Sequence, residues 1–122
     1  MILTGKVTSG LGESKFWIKK AEKAFENKIG IKLYHGTLNL ELEQDYILKD
    51  NILVLHKEEY GGSQEVYVQQ CKIFKHLAYI LRTEKNSTKD GDHPLNLIEI
   101  ISDINLREKY NLKDGNLVDI EI

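Results

Sequence analysis

The sequence predicts a mainly β fold, an antiparallel-rich barrel of about seven short strands with two short helices. Three observations favour it: apolar and polar residues alternate in several segments, turn residues separate these segments closely, and most neighbouring strands have no helix between them. The chain has 122 residues, which is an ordinary size for one domain. Residues 1–122 are therefore predicted to form a single domain that buries its own core.

The first half of the chain supplies the clearest strand. In residues 36–43, Leu38, Leu40 and Leu42 alternate with polar residues. This pattern predicts a half-buried strand and places Thr37, Asn39 and Glu41 together on its other face. Before it, residues 2–7 are predicted to form a strand, residues 16–18 the strand that returns after a glycine-containing turn, and residues 20–29 a helix that ends at Gly30.

The second half predicts more strands and one short helix. Residues 84–92 are polar and are predicted to form a mobile loop. Asn105 is a suitable N-cap for a helix over residues 105–110, with Glu108 three positions later as in a capping box. Asp114-Gly115 is typical of a turn. The remaining apolar segments are predicted strands: residues 52–55, 66–74, 76–82, 95–101 and 117–122.

Composition limits the classes of function. The formal net charge is −2, which argues against nucleic acid as the main partner, because such binding usually needs a basic face. The single cysteine, Cys71, permits no internal disulfide and is predicted to be an inert buried thiol. No segment has the length of apolar chain that spans a bilayer, and the start does not resemble a signal peptide. We expect a monomeric cytoplasmic protein without a membrane partner.

Four short motifs contain side chains suited to binding. The segment Ser9-Gly10-Leu11-Gly12-Glu13-Ser14-Lys15 could bring backbone N–H groups close to an anion, or it could simply be a hairpin turn. It matches neither a Walker A loop nor a Rossmann fingerprint. Thr37 and Asn39 offer hard oxygen ligands for Mg²⁺, or they lie on the exposed face of an amphipathic strand.

The other two motifs lie near the end of the chain. Asn105-Leu106-Arg107-Glu108 could present helix N–H groups and an arginine to a ligand, or form a capped surface helix. Glu99 stands between apolar residues and faces either solvent or a ligand. The four histidines have no metal-like spacing and are interpreted as ordinary side chains: His35, His56, His76 and His93.

Taken together, the motifs carry a family resemblance. They are Gly5-x-Val7-x-Ser9-Gly10-Leu11-Gly12-Glu13, Gly36-Thr37-Leu38-Asn39, Ile98-Glu99-Ile100-Ile101, Leu106-Arg107-Glu108 and Asp114-Gly115. In this order they resemble the archaeal-type CTP-dependent riboflavin kinases over nearly the whole chain. The resemblance implies a small six-stranded cradle-loop β-barrel. It also implies transfer of the terminal phosphate of CTP to riboflavin, giving FMN and CDP.

The resemblance further implies roles for individual residues. Thr37 and Asn39 would hold Mg²⁺, Glu99 would contact the flavin, and Gly91 occupies a position of the flavin site. The nucleotide site would be formed by two segments, Gly10, Leu11, Gly12, Glu13, Ser14 and Lys15 in the first and Ile104, Asn105, Leu106 and Arg107 in the second.

Two departures from the family pattern keep an alternative open. Ser14 stands where the family usually has a glycine, and Gly91 stands where it has a flavin-contacting threonine. The alternative is a non-catalytic nucleotide- or flavin-binding module that diverged from the family. A barrel used for protein or DNA contact is a third class, which the negative net charge disfavours. No general base is assigned, and Glu41 and His35 remain the two candidates.

Overall fold

The computed structural model describes residues 1–9, 14–49, 51–87 and 94–122, and for residues 14–17 the backbone alone. Strands dominate, which confirms the predicted mainly β fold. The strands are β1 Ile2–Thr8, β2 Leu38–Leu42, β3 Ile52–Leu55, β4 Val66–Ile73, β5 His76–Thr83, β6 Leu97–Ile101 and β7 Leu117–Glu121. The helices are α1 Ser14–Ile29, α2 Lys57–Tyr60, α3 Glu84–Ser87 and α4 Leu106–Lys109.

The strands form one antiparallel sheet that closes on itself. Its order is β3-β4-β5-β6-β2-β1-β7, and an additional pairing of β4 with β7 joins the two sides. Six strands therefore make a closed barrel, while β3 pairs only with β4 and lies outside the ring. The six-stranded barrel implied by the family resemblance is confirmed.

Two hydrophobic clusters stabilise this architecture. One fills the barrel, with side chains such as Leu40, Ile80 and Ile120 fully buried between the strands. The other lies between α1 and the outer wall of β4, β5 and β6, where Phe25 is fully buried. Full burial of a side chain of this size contributes about 1.5–3 kcal/mol. The helix therefore holds one outer wall of the barrel away from solvent.

The predicted strand at residues 16–18 is wrong, because these residues lie inside α1. Ile18, Ala21 and Phe25 are all buried, and their spacing of three and four residues is the spacing of one helix face. Three residues are too few to show whether the period is 2 or 3.6. The predicted end of the helix is confirmed at Gly30, which has a φ of 78° and donates its N–H to Glu26 O over 2.9 Å.

The described residues form four helices rather than the two predicted. The loop prediction for residues 84–92 is wrong for α3, where the Thr83 hydroxyl accepts the Asn86 N–H at 3.3 Å and caps the helix; residues 88–92 lie outside the described residues. The predicted helix near residue 105 is confirmed as α4, with Asn105 as its N-cap. Of the helices in the described ranges, none has the length and apolar character required to cross a membrane.

A buried arginine joins two segments at one end of the barrel. Arg82 is 5% exposed, and its guanidinium donates to the carbonyl oxygens of Tyr46, of Leu95 at 2.9 Å and of Leu97 at 3.5 Å. Burial lowers the pKa of this guanidinium, with the charge of Asp45 acting in the opposite direction. Arg82 thus connects the segment after β2 to the segment that leads into β6.

The hairpin between β4 and β5 contains two strained residues. Phe74 and Lys75 have φ values of 50° and 66°, and a two-residue turn with positive φ at both positions favours Asn-Gly. Lys75→Gly is expected to raise the free energy of unfolding by about 0.5–1 kcal/mol, because glycine adopts this φ without a Cβ clash. Urea unfolding measures the change.

The control for this prediction is Lys72→Gly, an exposed lysine in the extended backbone of β4. There glycine only adds chain entropy to the unfolded state, so about 0.5–1 kcal/mol should be lost. A Lys75→Gly protein less stable than the wild type would contradict the inference that the backbone of Lys75 is strained.

Candidate functional site

One row of side chains crosses the outer wall of the barrel. Leu81 of β5 lies opposite Glu99 of β6, Glu99 lies opposite Asn39 of β2, and Asn39 lies opposite Thr8 of β1. Leu81 belongs to the cluster that packs against α1, and residues directly opposite each other share a face of the sheet. Two of the predicted site residues, Asn39 and Glu99, are therefore direct neighbours. The sequence predicted that Asn39 lies on the polar face of β2, but it did not predict that Glu99 lies opposite it.

Asn39 is the unusual member of the row. The residue is 7% exposed, and its Oδ1 atom is buried without a hydrogen-bond partner among the described residues. An unsatisfied buried oxygen costs about 1–3 kcal/mol. Such a group calls for an explanation, and a role as the ligand of a metal ion is one. The oxygen is hard and uncharged, so it fits a Mg²⁺ ion that also binds phosphates and water.

Thr37 connects this row to a pocket at the end of the barrel. It precedes β2 and is half-buried, and it lines a small pocket of about 20 Å³ together with residues 104–107. That volume holds about one water molecule. Two motifs far apart in sequence, the threonine motif and the α4 motif, therefore share one pocket.

Helix α4 is fixed at its beginning by side-chain hydrogen bonds. The Asn105 Oδ1 atom accepts the Glu108 N–H at 3.1 Å, and the Asn105 Nδ2 atom donates to Glu108 Oε2 at 3.4 Å and to the Tyr34 hydroxyl at 3.0 Å. Leu106 is buried in the barrel cluster. Arg107, the next residue, is only half-buried and remains within reach of a ligand.

The start of the glycine segment is tied to the same helix. Ser9 donates its hydroxyl to Asp114 Oδ2 at 2.7 Å, and Arg107 donates Nη2 to Asp114 Oδ1 at 2.5 Å. Sequence reasoning assigned Asp114 to a turn and to one of the motifs of the family resemblance, but gave it no role in the site. An aspartate before a glycine is so common in turns that the local pattern contains no further signal.

Some of the predicted site residues lie outside the described residues, and for two others only the backbone is described. Gly10, Leu11, Gly12, Glu13 and Gly91 lie outside the described residues. Ser14 and Lys15 begin α1, so the serine adopts a helical backbone that it tolerates without strain.

The other ionisable candidates have local partners. His35 contacts the Glu22 carboxylate of α1. The His56 Nδ1 atom lies 3.2 Å from Glu65 Oε1, and the His76 Nε2 atom lies 2.7 Å from Asp103 Oδ1. His93 lies outside the described residues. Cys71 is 2% exposed, which confirms the prediction that its thiol is buried. Burial also raises its pKa to about 12, which disfavours the reactive thiolate. Among the described residues, no three His, Cys, Asp or Glu side chains are grouped as a metal site.

Fold and site together define a class of small closed β-barrel with candidate ligand-binding residues on an outer wall and one adjoining end. The family model CTP-dep_RFKase, described as "Domain of unknown function DUF120", matches residues 7–122. The chain belongs to this family.

Curated relatives agree with this assignment. The chain is 33% identical to a riboflavin kinase of Pyrobaculum aerophilum over 98% of its length, and 33% identical to one of Methanocella arvoryzae over 99%. It spans 60% and 56% of those two proteins. A riboflavin kinase of Sulfurisphaera tokodaii is 33% identical over 98% of this chain and 93% of its own length.

Proposed function

We propose that this protein transfers the terminal phosphate of CTP to riboflavin, giving FMN and CDP, with Mg²⁺ as the metal. In this reaction a riboflavin hydroxyl oxygen forms a bond to the terminal phosphorus. The bond from that phosphorus to the bridging oxygen breaks, and the hydroxyl gives up its proton. Family membership supports the phosphorylation of riboflavin. The observation that carries the proposal is the buried Asn39 Oδ1 atom, which has no hydrogen-bond partner in the described part of the chain, on the residue directly opposite Glu99.

The nucleotide is assigned to the end of the barrel where α4 lies, together with the glycine segment and the start of α1. Residues 104–107 provide the pocket wall and Arg107 a cation, which suits a phosphate or an acceptor group on the base. Helix α1 has 16 residues and no acidic residue in its first turn, so its N-terminal N–H groups and dipole favour an anion. Residues 10–15 complete this proposed nucleotide site.

Thr37 and Asn39 are the proposed metal ligands. Mg²⁺ commonly takes one or two protein oxygens and fills its other positions with phosphate oxygens and water. When bound, the ion would neutralise charge that develops on the transferring phosphoryl group. Two uncharged protein ligands leave its positive charge available to the phosphates.

Glu99 is the proposed flavin contact. Because Glu99 and Asn39 lie directly opposite each other, a flavin held at Glu99 would lie close to the metal-bound phosphate. Such proximity is the main contribution that a protein makes to phosphoryl transfer. Glu41 lies two residues beyond Asn39 on the same face of β2, and His35 contacts Glu22; both remain candidates for the general base.

The donor assay tests the reaction directly. Purified protein is incubated with riboflavin and Mg²⁺ and, separately, with CTP, ATP, GTP or UTP, and FMN is separated by chromatography. We expect FMN with CTP well above the other donors, and none when EDTA removes the metal.

Other outcomes discriminate among the hypotheses. FMN formed from ATP in preference to CTP would support riboflavin kinase activity but contradict the proposal that CTP is the phosphate donor. A folded protein that forms no FMN with any donor, yet binds riboflavin without nucleotide or metal, would instead be the non-catalytic binding module.

A further inference from the structure

Asp114 uses both carboxylate oxygens at once. Oδ2 accepts from the Ser9 hydroxyl at 2.7 Å, and Oδ1 accepts from the Arg107 guanidinium at 2.5 Å. The side chains of Asp114 and Arg107 are 56% and 41% exposed, and an isolated ion pair at such exposure contributes little to stability. A structural role alone therefore explains this arrangement poorly.

The backbone under Asp114 is anchored on both sides. Gly115 N–H donates to Val7 O at 2.8 Å, and Val7 N–H donates to Asn116 O at 2.8 Å, which ties the turn to the end of β1. On the other side, Leu112 N–H donates to Arg107 O at 2.8 Å. The carboxylate thus projects from a turn whose backbone is hydrogen-bonded on both sides, and it accepts from one side chain after β1 and one on α4.

One of the two partners belongs to the described part of the proposed nucleotide site. Arg107 lines the pocket shared with Thr37, and the hydrogen bond from Ser9, the residue that follows β1, fixes the other oxygen of the carboxylate that holds Arg107. The hydrogen bonds from Ser9 and Arg107 also lower the pKa of Asp114, so the carboxylate accepts both at neutral pH.

We propose that Asp114 is a positioning residue for the nucleotide, because it holds the Arg107 guanidinium in one orientation beside the pocket that Thr37 also lines. This inference rests on the proposed function, since it assumes that a nucleotide binds at Arg107. It assigns no role to Asp114 in riboflavin binding or in the chemical step.

Two physical effects of Asp114 oppose each other, and variants separate them. Its negative charge weakens the attraction of Arg107 for a phosphate, whereas its geometry orders the guanidinium. Ordering an arginine preserves up to about 2 kcal/mol of rotamer entropy, which corresponds to more than tenfold in affinity. The charge effect is smaller because both groups are exposed and screened. Positioning should therefore dominate.

The experiment compares Asp114→Ala with Asp114→Asn, by calorimetric binding of CTP with Mg²⁺ and by steady-state FMN formation. We expect Asp114→Ala to weaken CTP binding and raise the KM for CTP by about tenfold, with the KM for riboflavin within about twofold. Asp114→Asn should recover most of the affinity, because its amide can still accept from Arg107 and donate to the Ser9 oxygen.

Asp119→Ala is the matched control. Asp119 is also exposed, and it also accepts from a hydroxyl of β1, at 2.7 Å from Thr4. This variant should leave CTP binding and both KM values unchanged. Thermal unfolding of all variants checks that each barrel is folded.

Each result leads to a distinct conclusion. A wild-type protein that forms FMN, with Asp114→Ala binding CTP normally, overturns the positioning role and leaves the kinase intact. Tighter CTP binding by both Asp114 variants shows that charge repulsion dominates, and also overturns it. A wild-type protein that neither binds CTP nor forms FMN overturns the proposed function together with this inference.

Discussion

Replacing Asn39 by leucine is expected to lower FMN formation by about 100-fold or more, because a ligand is lost from a metal that stabilises the transition state by several kcal/mol. The fold should not suffer. The Asn39 Oδ1 atom is buried without a partner among the described residues, so an apolar side chain of the same branched shape removes a group that costs stability. The variant should be at least as stable as the wild type in urea. Loss of activity without loss of stability is typical of a ligand-binding residue.

Two further measurements test whether the loss of activity is due to the loss of a metal ligand. CTP with Mg²⁺ should raise the melting temperature of the wild type, and in Asn39→Leu the part of that rise which depends on Mg²⁺ should disappear. Asn39→Asp, which keeps a hard oxygen, should retain Mg²⁺-dependent stabilisation. Gln70→Leu is the control, since Gln70 is an exposed amide on β4, away from the row. Full Mg²⁺-dependent activity in Asn39→Leu would refute the metal assignment.

Replacing Arg82 by methionine is expected to cost about 3 kcal/mol of unfolding free energy, since hydrogen bonds to charged groups contribute about 1.5–3 kcal/mol each. For a domain of this size that corresponds to a fall of about 10 °C in Tm. The guanidinium reaches carbonyl oxygens of two separate segments, and methionine preserves its packing while removing every donor. Differential scanning calorimetry and urea unfolding measure the loss.

Two variants test whether the guanidinium itself is responsible. Arg82→Lys keeps the charge, but one ammonium group does not span carbonyls on separate segments, so more than half of the stability loss should remain. Lys72→Met, an exposed cation on the neighbouring strand β4, should change stability by less than about 0.5 kcal/mol. An Arg82→Met protein as stable as the wild type would mean that solvent or backbone rearrangement satisfies the carbonyl groups.

The sequence predicts well what local periodicity determines. The leucine alternation in β2 identifies both its buried face and the polar face that contains Thr37 and Asn39, and the structure keeps Asn39 on a face away from the barrel interior. The α4 N-cap is equally local, because Asn105 satisfies an N–H three residues later. Such signals depend on neighbours in the chain, so they can be detected without the fold.

Long-range relations were not predictable in this way. No pattern near Asn39 indicates that Glu99 lies opposite it, because register depends on how the whole sheet closes. Arg82 shares a face of β5 with Ala78 and Ile80 of the barrel cluster, and no local pattern indicates that two distant segments supply the carbonyl groups that accept from its buried guanidinium. The start of α1 was missed for another reason. Its first turn follows a glycine-containing segment, and such glycines also predict a hairpin.

Closure of the barrel has a consequence for how the chain folds. The β4–β5 hairpin joins eight residue pairs across a two-residue turn, whereas β1 and β7 pair Ile2 with Glu121, and the β4–β7 contact has two residue pairs. Contacts between distant parts of a chain carry a larger loss of chain entropy before they form. The hairpin is therefore expected to form early and the ring to close late. Until then the first and last strands would expose unpaired edges, so slow closure is the stage at which this chain is most open to aggregation.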